Sequence, residues 1–327
     1  MSHFVLEFEK PFLELARKID EMKKLQEKNN LDLTSEISLL EKRLTELQRK
    51  TYSGLTRWQR VRVARHPNRP YTLDYVRMFV TDFIEIHGDR NYADDKAVVT
   101  GFGTIDGHRF VLIGQQKGRD TKENIKRNFG MPHPEGYRKA LRAMKLAERF
   151  HLPVVSIIDT PGAFPGVGAE ERGQAEAIAR NLFEMARLKT PIIIAIIGEG
   201  ASGGALGIGV GDVVLMLENA WYTVISPEGC AAILWRDRAK APEAAEALKL
   251  SANDLLELGM IDKIVPEPPG GAHWSPEKMG ETLKKQLVDE IERFKLYEPE
   301  KLVERRLKRY RDMGVYREVK NARPKTS

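Results

Sequence analysis

Two stretches of the chain, Pro153–Asp159 and Pro191–Gly198, are apolar almost without interruption and too short for an isolated helix. A strand with one wet face alternates in polarity; these do not, so they read as strands of a sheet covered on both sides. Amphipathic helical patterns stand beside them, over about Glu135–Phe150 and Glu170–Leu188. Ala97–Ile105 and Arg109–Gln115 are β-rich and flank Asp106-Gly107-His108, a tight hairpin with glycine in the turn. A short helix over Ala205–Gly209 and a strand pair, Val213–Leu217 and Trp221–Ile225, follow the second apolar run. The class is therefore α/β, but strand pairs recurring between helices exclude a plain βαβ alternation.

The ends differ in character. Phe8, Phe12, Leu15, Ile19, Met22 and Leu25 recur at helical spacing; after a break at Asn29-Asn30, Asp32 and Thr34 can cap a second helix striped by Ile37, Leu40, Leu44 and Leu47. Residues 5–50 thus predict a helical hairpin, whose narrow stripes need a partner surface on this chain or on another subunit. A polar linker is expected around His66-Pro67-Asn68-Arg69-Pro70, and Pro266–Gly271 closes the main domain. A charged helical region spans about Pro276–Lys308, and the tail Tyr316–Ser327 reads as polar and frayed. The expected division is a hairpin over 1–50, a main domain over 51–295 and a basic helical tail over 296–327.

The 327 residues carry a net charge of +6 and a pI near 9.2, yet most basic residues are interleaved with acids, which is the pattern of a solvated surface. Arg305–Arg311 is the one dense basic run, and no nucleic-acid motif accompanies it, so a nucleic-acid-binding protein is a disfavoured alternative. The single cysteine, Cys230, excludes an intrachain disulfide and paired-cysteine zinc. The opening residues lack a signal-peptide pattern and no apolar run approaches the roughly 20 residues of a membrane helix, so a soluble, cytoplasmic protein without membrane contact is expected.

Chemistry concentrates where the apolar strands end. Gly200-Ala201-Ser202-Gly203-Gly204 joins a strand to a helix, and glycines there let a ligand reach the backbone. The Gly203 and Gly204 N–H groups belong to an unpaired first helical turn and are candidates to hold an oxyanion. The same residues fit G-x-S-x-G, a serine hydrolase elbow, for which His273 is the only histidine downstream. Asp159-Thr160-Pro161-Gly162-Ala163-Phe164 ends the other strand alike; it looks like a GTPase element, but no phosphate-binding glycine loop exists. Lys117, Arg119 and Lys122 form a basic loop able to meet phosphates or a carboxylate, and no His, Asp or Glu set has metal spacing.

In combination and order, Lys117–Thr121, Asp159–Ala163, Gly200–Ala205 and Val224–Cys230 resemble the alpha-subunit family of bacterial acetyl-coenzyme A carboxylase carboxyltransferases, and Leu6–Pro11 looks like that family's start. The resemblance implies a crotonase-like spiral of ββα units and transfer of a carboxyl group from carboxybiotin to acetyl-CoA, giving malonyl-CoA for fatty acid synthesis. It implies biotin on a separate carrier protein, a beta subunit with its own zinc in an α2β2 heterotetramer, a separate ATP-using biotin carboxylase, and no metal on this chain. Gly203 and Gly204 would receive the biotin ureido oxygen, with Gly200, Ala201, Ser202, Gly162, Ala163 and Phe164 lining the site. Lys117, Arg119 and Lys122 would meet CoA or a carboxylate. A carboxyltransferase for another acyl-CoA, such as propionyl-CoA, is the nearer alternative.

Overall fold

The computed structural model describes residues 4–29 and 31–314. Eight strands form one sheet: β1 (Thr81–Glu85), β2 (Val98–Ile105), β3 (His108–Gln115), β4 (Val154–Thr160), β5 (Ile192–Ala201), β6 (Val213–Leu217), β7 (Trp221–Thr223) and β8 (Lys263–Val265). Their order is β1-β2-β3-β4-β5-β6-β8, antiparallel across β1, β2 and β3 and parallel from β3 to β8. The β2–β3 turn is Asp106-Gly107 with φ of 45° and 79°, the two positive angles that match a hairpin's twist.

Every residue of β4 and of β5 is buried, as uninterrupted apolar runs require. Ile192–Ile197 each lie at or below 1% exposure, and full burial of one such side chain stabilises by about 1.5–3 kcal/mol. β5 outruns its neighbour: Ile193–Ile196 pair with β6, while Glu199–Ala201 pair with β7. The carboxyl end of β5 therefore stands clear of β6 and carries its glycine-rich turn to the edge of the sheet. Helix Pro134–Arg149 buries Tyr137, Ala140, Met144 and Ala147, one face at spacings of three and four, against β2 and β3.

Several boundaries differ from those read in the sequence. The short helix after β5 is Ser202–Leu206 rather than Ala205–Gly209. The expected helix 170–188 is two, Val167–Glu171 and Gln174–Arg187, parted where Gly173 adopts φ of 83°. Helices Arg57–Ala64 and Thr72–Phe79 and strand β1 were not foreseen. The supposed polar linker is anchored in the interior at alternate points: Pro67 and Asn68 are exposed, but His66 and Arg69 are at most 2% exposed, and Arg69 donates to Ile197 O and forms a two-pronged pair with Glu267. A fully paired guanidinium is what makes such polar sequence compatible with burial.

The N-terminal helices run Lys10–Asn29 and Thr34–Ser53, and their root packs on this chain through Leu6, Phe12, Tyr52, Val63 and Trp274. Toward the tip, Leu25, Leu31 and Leu39 are exposed. Helices Pro276–Phe294 and Pro299–Arg311 follow the sheet; the second docks through buried Leu302 and Arg306 and is no loose tail. The tail Tyr316–Ser327 lies outside the described residues.

Candidate active site at the carboxyl edge of the sheet

Ser202, with φ of 56°, turns the chain from β5 into the five-residue helix Ser202–Leu206. Gly203 N–H and Gly204 N–H sit in its first turn, and neither donates to an acceptor among the described residues. The helix is fixed from its other end. Gly203 O accepts Gly207 N–H at 2.9 Å, while Gly204 O accepts Gln115 Nε2 at 2.7 Å and Tyr137 Oη at 3.3 Å. Both carbonyls point into the protein, so the amides face the opposite way.

The two glycines do different work. A Cβ on Gly204 would lie 2.3 Å from the Gly162 carbonyl carbon and 2.5 Å from Ala163 N, so only glycine lets these two loops touch. A Cβ on Gly203 would meet only Ile178, at 3.4 Å. Gly203 is the partly exposed member and borders two clefts. One, of about 690 Å³, is lined by Pro161–Ala163, Glu170, Gln174, Ile178, Ser202 and Ser226, with neither Lys nor Arg. The other, of about 1160 Å³, is mostly apolar and runs past Tyr222, Leu255 and Met260 to Arg309 and Gly314.

Behind the site lies a chain of buried charges. Lys117 Nζ donates to Asp159 Oδ1 at 2.6 Å and Glu199 Oε1 at 2.8 Å; Glu199 Oε2 accepts Arg65 Nε at 2.6 Å, and Arg65 also pairs with Glu228. Burial would lower the lysine's affinity for its proton, but the facing carboxylates outweigh it and hold Lys117 above its ordinary value. Burial pushes Asp159 up, whereas at Glu199 two cations overcome burial and hold it down. Three of the sequence motifs, through Lys117, Asp159 and Glu228, are thus joined by Glu199 and Arg65 into one electrostatic unit.

Of the residues singled out in the sequence, Gly162, Ala163, Ser202 and Gly203 share the smaller cleft. Gly200 and Ala201 are buried in the β5–β7 ladder, and Phe164 does not line the cleft but stacks on His133 with centroids 4.2 Å apart. Lys117 and Arg119 reach neither cleft: Lys117 is committed as above, and Arg119 lies over the Tyr71 ring and pairs with Asp74 and the Pro67 and Arg69 carbonyls. Lys122 is exposed on the helix Thr121–Lys126. Gln115, Tyr137 and Gln174 were missed; no local pattern marks them, since each acts across a fold contact.

His273 does not serve Ser202. Its Nε2 bonds Glu9 Oε1 at 2.8 Å and its ring stacks on His66 at 3.9 Å, so the serine has no histidine among the described residues. Glu9, His66 and His273 do bring ligand-type atoms within 4.8 Å, a grouping the sequence hid across 264 residues. Both His66 ring nitrogens are engaged within the chain, Nδ1 accepting Asn68 N–H at 3.1 Å and Nε2 facing Phe4 O at 3.3 Å.

The family described as Acetyl co-enzyme A carboxylase carboxyltransferase-like matches residues 5–314. Acetyl-coenzyme A carboxylase carboxyl transferase subunit alpha of Chlorobium limicola is 57% identical, over 96% of this chain and 98% of its own. The same subunit of Thermus thermophilus is 56% identical over 96% and 99%. The chain belongs to this family. Among solved structures, a Pseudomonas malonate decarboxylase hetero-tetramer in complex with coenzyme A aligns with a TM-score of 0.53 at 16% identity, covering 66% of this chain and 86% of its own. Transcarboxylase 12S with methylmalonyl-coenzyme A aligns at 0.52 and 20%, covering 67% and 42%. These likenesses give the alpha-subunit family its fold, the crotonase-like α/β architecture expected above. No helix among the described residues is long and apolar enough to cross a membrane.

Proposed function

We propose that the Gly203 and Gly204 amides are the donors that receive the ureido oxygen of carboxybiotin when this alpha subunit, joined to its beta subunit, passes the carboxyl group to acetyl-CoA. The carrying observation is the pair of first-turn N–H groups without acceptors, on a turn whose carbonyls are tied down behind it. Charge gathers on the ureido oxygen as the carboxyl departs, and fixed dipoles stabilise it with no reorganisation. Biotin supplies the carboxyl-bearing nitrogen; the chain supplies donors, a wall and exclusion of water. The smaller cleft fits a neutral ring better than CoA phosphates, because no cation lines it.

A surface beside the site supports a partner subunit. Val224, Ile233 and Leu234 are 77%, 70% and 65% exposed and Trp235 is 44% exposed, an apolar face that association would cover. The reading requires a biotin carrier protein, a separate ATP-using biotin carboxylase and a zinc-bearing beta subunit. Propionyl-CoA in place of acetyl-CoA is a matter for the partner's acyl pocket.

Gly203→Ala tests the assignment: its Cβ meets only Ile178, at 3.4 Å, so the fold should hold while a methyl group enters the cleft wall where the ureido group would lie. With the beta subunit and carboxylated carrier, kcat for malonyl-CoA formation should fall about 10²-fold or more while the unfolding midpoint holds. Wild-type turnover by this variant would discard the role given to the amides.

A further inference from the structure

The backbone ladder of the sheet gives out at the level of the site. β3 and β4 pair from Val111 with Val154 up to Gly114 with Ile157. Between β4 and β5, the pairs Ile158 with Ile196 and Thr160 with Gly200 leave Asp159 alone opposite Ile197, Gly198 and Glu199. Such a bulge bends its strand and leaves the extra residues without ladder partners. Side chains bridge the gap: Asp159 Oδ1 accepts Glu199 N–H at 2.9 Å, and Gln115, the last residue of β3, makes two further links.

Gln115 is fully buried, and its own carbonyl accepts Thr72 Oγ1 at 2.6 Å. Its Oε1 accepts Asp159 N–H at 3.1 Å, while its Nε2 donates to Gly204 O at 2.7 Å. Turned over, the amide would set N–H against N–H and oxygen against oxygen, so one orientation alone satisfies both ends. The side chain is thus a strut from β4 to the helix Ser202–Leu206. Gly204 already lies so close to the Gly162 and Ala163 backbone that the two loops cannot come nearer. The strut keeps them from parting, and Tyr137 Oη, at 3.3 Å from the same oxygen, is the longer tie.

We propose that Gln115 is a positioning residue for carboxyl transfer: it lines neither cleft, and it holds the glycine turn at the spacing from the Pro161–Ala163 loop at which the Gly203 and Gly204 amides meet the ureido oxygen. This rests on the reading of the glycine pair given above. Pre-set donors matter most where charge is greatest, so loss of the strut costs rate rather than carrier binding.

The test uses the alpha–beta complex with carboxylated carrier protein and acetyl-CoA, with rates taken per folded complex. Gln115→Met keeps the length of the side chain and loses both bonds; kcat should fall about tenfold or more while KM for the carboxylated carrier stays within about twofold. Gln115→Glu keeps an acceptor for Asp159 N–H, but its second oxygen faces Gly204 O and can bond it only when protonated. Burial and the Asp159 and Glu199 carboxylates favour that proton; Lys117 opposes it but is committed to both carboxylates, and the Tyr137 phenol is the remaining titratable neighbour. The Gln115→Glu rate relative to wild type should therefore climb about fivefold or more between about pH 9 and about pH 6, while that of Gln115→Met stays flat. Full kcat in Gln115→Met, a loss confined to KM, or a Gln115→Glu rate that stays depressed down to about pH 6 overturns the proposal. Should Gln115→Met not fold, the pH profile of Gln115→Glu decides alone. Failure of the underlying reading is seen separately, as undiminished kcat in Gly203→Ala.

Discussion

The two edges of the parallel sheet both bury charge, in opposite styles. At the amino edge, Arg306 uses all five guanidinium N–H bonds on Asp212 and on the carbonyls of Met185, Leu188 and Thr190. Asp212 in turn accepts Ile192 N–H at 2.8 Å. That assembly is closed, and it clamps helix Pro299–Arg311 to the start of β5. At the carboxyl edge, Asp159, Lys117, Glu199, Arg65 and Glu228 form an open chain in which inner members serve two partners each, ending on the half-buried Glu228. The closed pair is a fastener; the open chain lies under the loops that carry the clefts. Within the basic C-terminal run, Arg306 is interior and Arg309 and Lys308 pair with Asp262 and Asp312, so part of that run's charge is matched by this chain's own carboxylates.

The largest effect should come from the carboxyl edge itself. Gly204→Ala drives a methyl group into the Gly162–Ala163 backbone, so carboxyl transfer should drop more than about 10²-fold, with a loss of about 1–3 kcal/mol on thermal unfolding. Paired variants sharpen the contrast. Lys117→Met and Arg306→Met each strand buried carboxylate and should each destabilise by about 3–5 kcal/mol in denaturant titrations. Only Lys117→Met should also depress kcat of the folded fraction; equal kcat losses in both would erase the distinction between edges.

A smaller, pH-dependent effect belongs to the root of the N-terminal hairpin. Burial, then the neighbouring His273, hold His66 down to about 4 from an ordinary 6.5, against the pull of Glu9 and with Arg69 nearby. The folded state therefore binds this proton less well than the unfolded one. Stability from the neutral ring is complete above about 6.5 and is lost as pH falls toward about 4, by roughly 3 kcal/mol if nothing else changes. In His66→Asn the unfolding midpoint should be lower at neutral pH but should fall less steeply across that interval.

Burial on both faces wrote β4 and β5 into the sequence plainly, and Asp106-Gly107 did the same for the hairpin turn. The glycine-rich turn that ends β5 was legible from the same run, because it follows a strand buried along its whole length. The interior placement of His66 and Arg69 was not legible, because Glu267, which makes Arg69 tolerable there, is 198 residues away. Gly173 looked like a residue within one helix until its positive φ was known. Lys117 read as a loop cation because its two carboxylates come from other strands, and Gln115 had no signal at all, since the Asp159 and Gly204 groups that it joins meet only once the fold surrounds it.

Glu9 is tied to His273 across 264 residues, and to Tyr52 through the phenol at 2.7 Å. On a ribosome adding 5–20 residues per second, roughly 13–50 s separate synthesis of the two ends of that link. For that interval the helices Lys10–Asn29 and Thr34–Ser53 have each other but not their seat, with Phe12 and Tyr52 still uncovered by Trp274. The nascent chain thus carries the apolar stripe of these two helices well before Trp274, which covers it, is made.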